Sequence, residues 1–184
     1  MEDHEIIRLL WERVEKAVSA LSDKYGRLVF QLSRNIVGND EDAAECTNDT
    51  WLGVWDSIPP QKPQVLRAYV CRVGRNLSLK RYRSNTAAKR NTAYDVSIDE
   101  LAECLADSSV EEVWSARELG RAIDRFLDRL DKENRIIFMR RYWFSDSIST
   151  IAALMGMSEN NISVRLSRIR SRLRDYLKME GIEW

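Results

Sequence analysis

Apolar residues recur at helical spacing along most of this chain, and every ordered segment reads as α-helix. Ile6, Leu10, Val14 and Val18 predict a first helix over Asp3–Ala20. Ser22 or Asp23 is placed to cap a second, which carries Leu28, Leu32 and Ile36 and ends at Gly38. Asp40 is placed to cap a third, which runs to Ser57 with Ala44, Trp51 and Trp55 on its apolar stripe; Pro59 and Pro60 stop it. A fourth helix is predicted over Gln64–Arg83. Leu66, Val70, Val73 and Leu77 share its apolar face, and Arg72, Arg75, Asn76 and Arg83 fall largely on the other side. Gly74 lies inside this helix at a cost of about 1 kcal/mol against alanine, which close packing on a neighbouring helix would justify.

Residues 85–110 are polar and weakly periodic and read as a linker, with a short helical piece expected at Ile98–Leu105. From Glu111 the helical period returns. Leu119, Ile123, Phe126, Leu127 and Leu130 mark one helix; Asp131 caps another that carries Ile136, Ile137 and Met139 to Tyr142. The expected fold is therefore all-α: a helical domain over 1–84, the linker over 85–110, and a second helical domain over 111–184.

The segment ISTIAALMGMSENNISVRLSRIRSR, Ile148 to Arg172, has the form of a helix-turn-helix. Ile151 and Leu154 are expected to pack inward from its first helix. Gly156 permits the left-handed turn, and the Ser158 hydroxyl caps the second helix. Ile162, Leu166, Ile169 and Leu173 form a continuous apolar stripe, so Asn160, Val164, Ser167, Arg168 and Ser171 face outward. Short side chains with one arginine suit close approach to base edges in a major groove, while Arg165, Arg170, Arg172 and Arg174 are placed for phosphates.

Composition alters this picture only through its distribution. The 184 residues carry 29 basic and 29 acidic side chains, a formal net charge of zero. Yet Ser57–Tyr94 holds no Asp or Glu while it contains Lys62, Arg67, Arg72, Arg75, Lys80, Arg81, Arg83, Lys89 and Arg90. Such asymmetry indicates a local anionic partner. Basic residues interleaved with Tyr69 and Tyr82 suit a single nucleic-acid strand; by themselves they suit an acidic protein surface or a membrane surface equally. Cys46, Cys71 and Cys104 are odd in number and widely spaced, which indicates neither a disulfide framework nor a zinc site. No metal or cofactor is expected. Glu2, Asp3 and Glu5 are unlike a signal peptide and no apolar run approaches a membrane span, so a cytoplasmic protein without membrane insertion is expected. His4 is the single histidine, and neither a fixed carboxylate pair nor a glycine-rich phosphate loop is present; catalysis by this chain is not expected.

The two domains and the linker between them resemble the extracytoplasmic-function class of bacterial sigma factors, in the sigma-70 family. YGRLVFQLSRNIVGNDEDAAECTNDTWLGVWDSI followed by RAYVCRVGRNLSLKRYR is similar to sigma domain 2. LDRLDKENRIIFMRRYWFSDSISTIAALMGMSENNISVRLSRIRSRLRDYL is similar to sigma domain 4. The resemblance implies a factor that binds core RNA polymerase through its β′ and β subunits and promotes initiation at promoter DNA. It also implies regulation by an anti-sigma factor. It places Glu45, Asn48 and Asp49 on the polymerase-binding helix. It places Asn76 beside a flipped base of the −10 element, with Arg72, Arg75, Lys80, Arg81 and Arg83 on the strand's phosphates. It places Asn160, Asn161, Ser163, Val164, Arg165, Ser167 and Arg168 on the −35 element, with Arg168 the natural reader of a guanine and Ser163 nearer the flank. Tyr69, where many relatives carry Trp, is expected to pack in the core. The rival function is a helix-turn-helix activator or repressor that acts without polymerase.

Overall fold

The computed structural model describes residues 1–85, 94, 96–98, 100, 101 and 116–181. Every regular element among the described residues is helical. The chain divides into two compact units, Met1–Thr92 and Ala93–Trp184, each with its own apolar core.

The first unit contains α1 (Asp3–Trp11), α2 (Lys16–Val37), α3 (Asp40–Ser57) and α4 (Leu66–Asn85). Ile6, Leu10, Leu21, Val29, Val54, Ile58, Leu66 and Val70 are sealed in its centre. The predicted single helix over Asp3–Ala20 is broken: Arg13 takes φ 56°, and α2 already begins at Lys16 rather than at Ser22. Tertiary contact accounts for the break. The Arg13 guanidinium donates to the Trp55 carbonyl at 2.7 Å and lies 5.3 Å from the Trp55 ring centre. Gly38 closes α2 at φ 83°, as its position predicts. Asn39 rather than Asp40 caps α3, accepting the Asp42 N–H at 2.8 Å. Ala44, predicted on the α3 apolar stripe, is exposed; Ala43, Cys46, Thr50, Trp51 and Val54 are buried instead.

Helix α4 also turns a different face inward. Leu66, Val70, Cys71, Gly74 and Ser78 are buried, whereas Val73 and Leu77 are only half-buried. Gly74 explains the rotation. A methyl group there would stand 3.0 Å from Val29 Cγ1 and 3.1 Å from Thr50 Oγ1, so the α4 backbone lies directly against α2 and α3. Below it, the Ser78 hydroxyl donates to the Gly74 carbonyl at 2.8 Å and lies 2.9 Å from Ser33 Oγ, which satisfies a buried polar pair. Tyr69 packs against the core, and the Arg72 guanidinium sits 5.0 Å from its ring centre.

The second unit contains α5 (Ala116–Asp128), α6 (Lys132–Phe138), a π-helical turn (Met139–Trp143), α7 (Ile148–Met155) and α8 (Glu159–Met179). Asp131 caps α6, accepting the Asn134 N–H at 3.0 Å. The helix predicted to reach Tyr142 loosens into the π turn after Phe138. Ser147 caps α7, Gly156 closes it at φ 63°, and Ser158 caps α8 by accepting the Asn161 N–H at 3.2 Å. Leu154 does not pack inward; it is 58% exposed, and Ile151 with Ala152 forms the buried face of α7. The helical period requires this, because the face built on Ile151 and Ala152 continues at Ile148 and Met155.

Within the stretch read as linker, Leu101 packs against the second unit's core and Glu100 is bonded to Arg141. Residues 96–98, 100 and 101 are helical. The remainder of the predicted piece Ile98–Leu105, and the start of the second domain at Glu111, lie outside the described residues.

Candidate nucleic-acid interface

Helix α8 owes its orientation to the stripe Ile162, Leu166, Ile169 and Leu173, each at most 1% exposed and extended by Tyr176 and Leu177. That burial turns Asn160, Asn161, Val164, Ser167 and Arg168 to solvent. The two remaining predicted −35 residues, Ser163 and Arg165, are half-buried. Ser163 donates its hydroxyl proton to the Glu159 carbonyl at 2.9 Å, within its own helix. Arg165 is held on the flank: Nε donates to Asn161 Oδ1 at 3.1 Å, and one terminal nitrogen donates to Glu133 Oε2 at 3.0 Å and to Asn134 Oδ1 at 3.4 Å. Asn161 and Arg165 thus occupy one another, while Arg168 projects beside them. An open groove of about 500 Å³ runs along this flank, lined by Asp131, Glu133, Asn134, Arg165, Arg168 and Arg172 among others. Hydrogen bonds from the Asn134 backbone and side chain hold the Asp131 carboxyl below its ordinary value. Arg170, expected at phosphates, turns inward instead and donates to the Tyr142 hydroxyl at 2.9 Å. Burial raises the Tyr142 phenol above its ordinary value, so it stays protonated.

On α4 the exposed residues Arg72, Asn76, Lys80 and Arg83 recur every three or four positions and form one stripe opposite the buried face. Arg75 and Arg81 flank it and are half-buried. Arg81 is engaged by α3: its guanidinium pairs with Glu45 and lies 3.6 Å from Asp42 Oδ1. Asn85 adds a hydrogen bond to Asp42 Oδ2 at 2.9 Å. A predicted phosphate contact and a predicted polymerase contact are therefore bonded to each other, across 36 positions of sequence.

On α3 the predicted polymerase-binding residues Glu45, Asn48 and Asp49 are all exposed and share one face. The same face continues through Leu52, which is 61% exposed, to Asp56. Sequence reasoning missed both, although the spacing from Glu45 to Leu52 is two helical turns and carries the signal. Among the described residues, no group of three or more His, Cys, Asp or Glu side chains could hold a metal ion. No described helix is long and apolar enough to cross a membrane.

Two family models match the two units separately: sigma-70 region 2 over residues 21–88 and sigma-70 region 4 over residues 120–173. The first match contains the exposed faces of α3 and α4; the second contains the helix-turn-helix. The chain belongs to the sigma-70 family, in its extracytoplasmic-function class. It is similar to the ECF RNA polymerase sigma factor SigE of Mycolicibacterium smegmatis, with 27% identity over 169 residues. The match covers 92% of this chain and 63% of that relative, so the chain spans less than two thirds of the relative's length. Among solved structures, that of CnrH in complex with the cytosolic domain of CnrY aligns over 96% of this chain and 97% of the other, with a TM-score of 0.45 and 21% identity.

Proposed function

We propose that this chain binds core RNA polymerase and directs it to promoters, reading a −35 duplex with α8 and holding the opened −10 strand on α4. The observation that carries this reading is the pair of exposed polar faces, one in each unit. One lies on the second helix of a helix-turn-helix, and the other forms a basic, carboxylate-free stripe on α4.

On α8 the capped N-terminal turn and the small side chains of Asn160, Val164 and Ser167 let the helix approach the groove floor. Arg168 then donates in bidentate fashion to guanine O6 and N7. Arg165 and Arg172 take the flanking phosphates. On α4, Arg72, Lys80 and Arg83, with Arg75 and Arg81 beside them, bind the backbone of a single strand. The Asn76 amide reads the edge of a base that has left the stack. Polymerase docking through the Glu45, Asn48, Asp49 and Leu52 face offsets the unstacking cost of a few kcal/mol. The phosphodiester chemistry belongs to the polymerase. The factor acts in the cytoplasm, needs no cofactor, and has an anti-sigma factor as its natural inhibitor.

The ion pairs of Arg81 and Arg165 must be exchanged for phosphates on binding. Half-exposed surface pairs of this kind contribute little net stability, so the exchange is easy and reversible. The test is co-purification with core polymerase followed by run-off transcription from a two-box template. Initiation that depends on added chain supports the proposal. Duplex binding without core association or initiation would favour a repressor instead.

A further inference from the structure

The exposed face of α8 has an apolar centre. Between Glu159 and Leu177 every other apolar side chain of this helix is at most 6% exposed, whereas Val164 is 39% exposed. It stands about 180° round the helix from Leu173 and about 200° from Leu166, opposite the buried stripe. Asn160 precedes it by one turn, and Ser167, Arg168 and Ser171 follow on the same face, all exposed. Neither local structure nor packing calls for valine at this position. A β-branched side chain lowers helix propensity, and this one lies outside the core of its unit. Along the adjoining groove Arg165, Arg168 and Arg172 outnumber Asp131 and Glu133, which fits an anionic duplex. Valine has no hydrogen-bond donor or acceptor, so it reads none of the polar groups that a base pair presents in the major groove. The C5 methyl of thymine is the one apolar group displayed there. A methyl seated on Val164 leaves water, whereas cytosine in its place would turn an amino group against a side chain that accepts no hydrogen bond.

We infer that Val164 is a specificity-determining residue that reads a thymine of the −35 box through its C5 methyl group. The inference rests on the function proposed above and adds an apolar determinant to the guanine contact of Arg168. Val164 and Arg168 are four residues apart, about 6 Å along the helix axis, while successive base pairs rise about 3.4 Å. The thymine therefore lies one or two base pairs from the guanine, whichever strand carries it.

The experiment uses the full chain with core polymerase in run-off transcription, on a promoter assembled from synthetic strands with a constant −10 box. Each thymine of the −35 box, on both strands, is replaced singly by deoxyuridine. The replacement removes the C5 methyl and keeps the base pair, its hydrogen bonds and its charge. With the unaltered chain at subsaturating concentration, one replacement is expected to lower initiation about three- to fivefold, the worth of one buried methyl group. Val164→Ser removes both methyl groups at an exposed position, and this chain is expected to initiate equally from thymine and deoxyuridine at that site. Each chain is compared with itself on the two templates, so a change in its overall activity does not enter. If the variant does not fold, the scan with the unaltered chain still decides through the position of the sensitive thymine. The inference is overturned if no thymine methyl matters, or if the sensitive thymine lies more than two base pairs from the guanine at which Arg168→Ala relaxes preference. It is overturned equally if the loss at deoxyuridine persists undiminished in the Val164→Ser chain. In each case initiation by the unaltered chain continues. Failure of the unaltered chain to initiate from the thymine template would overturn the proposed function, and this inference with it.

Discussion

Arg168 and Arg165 sit three residues apart on one helix and have different surroundings. Arg168 is exposed, while Arg165 is bonded to Asn161, Glu133 and Asn134. The proposed function makes the first a base reader and the second a phosphate clamp whose grip is tempered by the Glu133 carboxylate. Arg168→Ala is expected to weaken −35 binding by about 1–3 kcal/mol and to relax discrimination at one base pair. Transcription from a panel of −35 variants checks this, and an unchanged preference at every position would refute it. Glu133→Gln removes the competitor at Arg165. It is expected to raise affinity for duplex DNA by roughly two- to fivefold at low salt, equally for all sequences. Fluorescence anisotropy against specific and scrambled duplexes measures both parts; a gain confined to the specific site would contradict the assignment. Periodicity alone already sets Arg168 on the outer face of α8 and Arg165 on its flank. The restraint on Arg165 was not legible, because its partner Glu133 lies on another helix, 32 positions away.

Helix ends followed local chemistry, and the faces of helices followed packing. Gly38, Asp131, Gly156 and Ser158 end or begin helices where the sequence predicts, because a cap needs only its own few residues. The break at Arg13 has no glycine or proline to announce it and depends on Trp55, 42 positions away. The inward face of α4 depends on Gly74, whose close approach to Val29 and Thr50 no periodicity reveals. Gly74→Ala would gain helix propensity yet force those contacts apart, and the overpacking is expected to dominate, with a net destabilisation of about 1–3 kcal/mol. Chemical denaturation measures it, and a more stable variant would contradict the packing argument. At Asp131 the folded-state carboxyl is held below its ordinary value by the Asn134 hydrogen bonds. Its contribution to stability is therefore present above the unfolded-state pKa and is lost as pH falls through the folded one. Asp131→Asn keeps a capping side chain but cannot titrate. The variant is expected to lose less stability than the wild type on acidification across that window, which parallel denaturation series at neutral and acidic pH would reveal.

For the whole molecule, the fold class was legible because helices and their caps are local features. The two-unit division appears in the sequence as a loss of periodicity between two helical segments. Long-range electrostatics were not legible. The pairing of Arg81 with Glu45, and the seat of Glu100 on Arg141, join residues 36 and 41 positions apart. The α3 carboxylate and the α4 arginine therefore share one surface, where the proposed polymerase contact and the proposed strand contact adjoin through that ion pair. The proposed function has the exposed faces of both units act on one promoter. The most direct measurement is run-off transcription by core polymerase with this chain on four templates: both boxes intact, either one scrambled, and both scrambled. Strong initiation only where both boxes are intact is the expected result. Initiation insensitive to the −35 box, or none with any template, would contradict it.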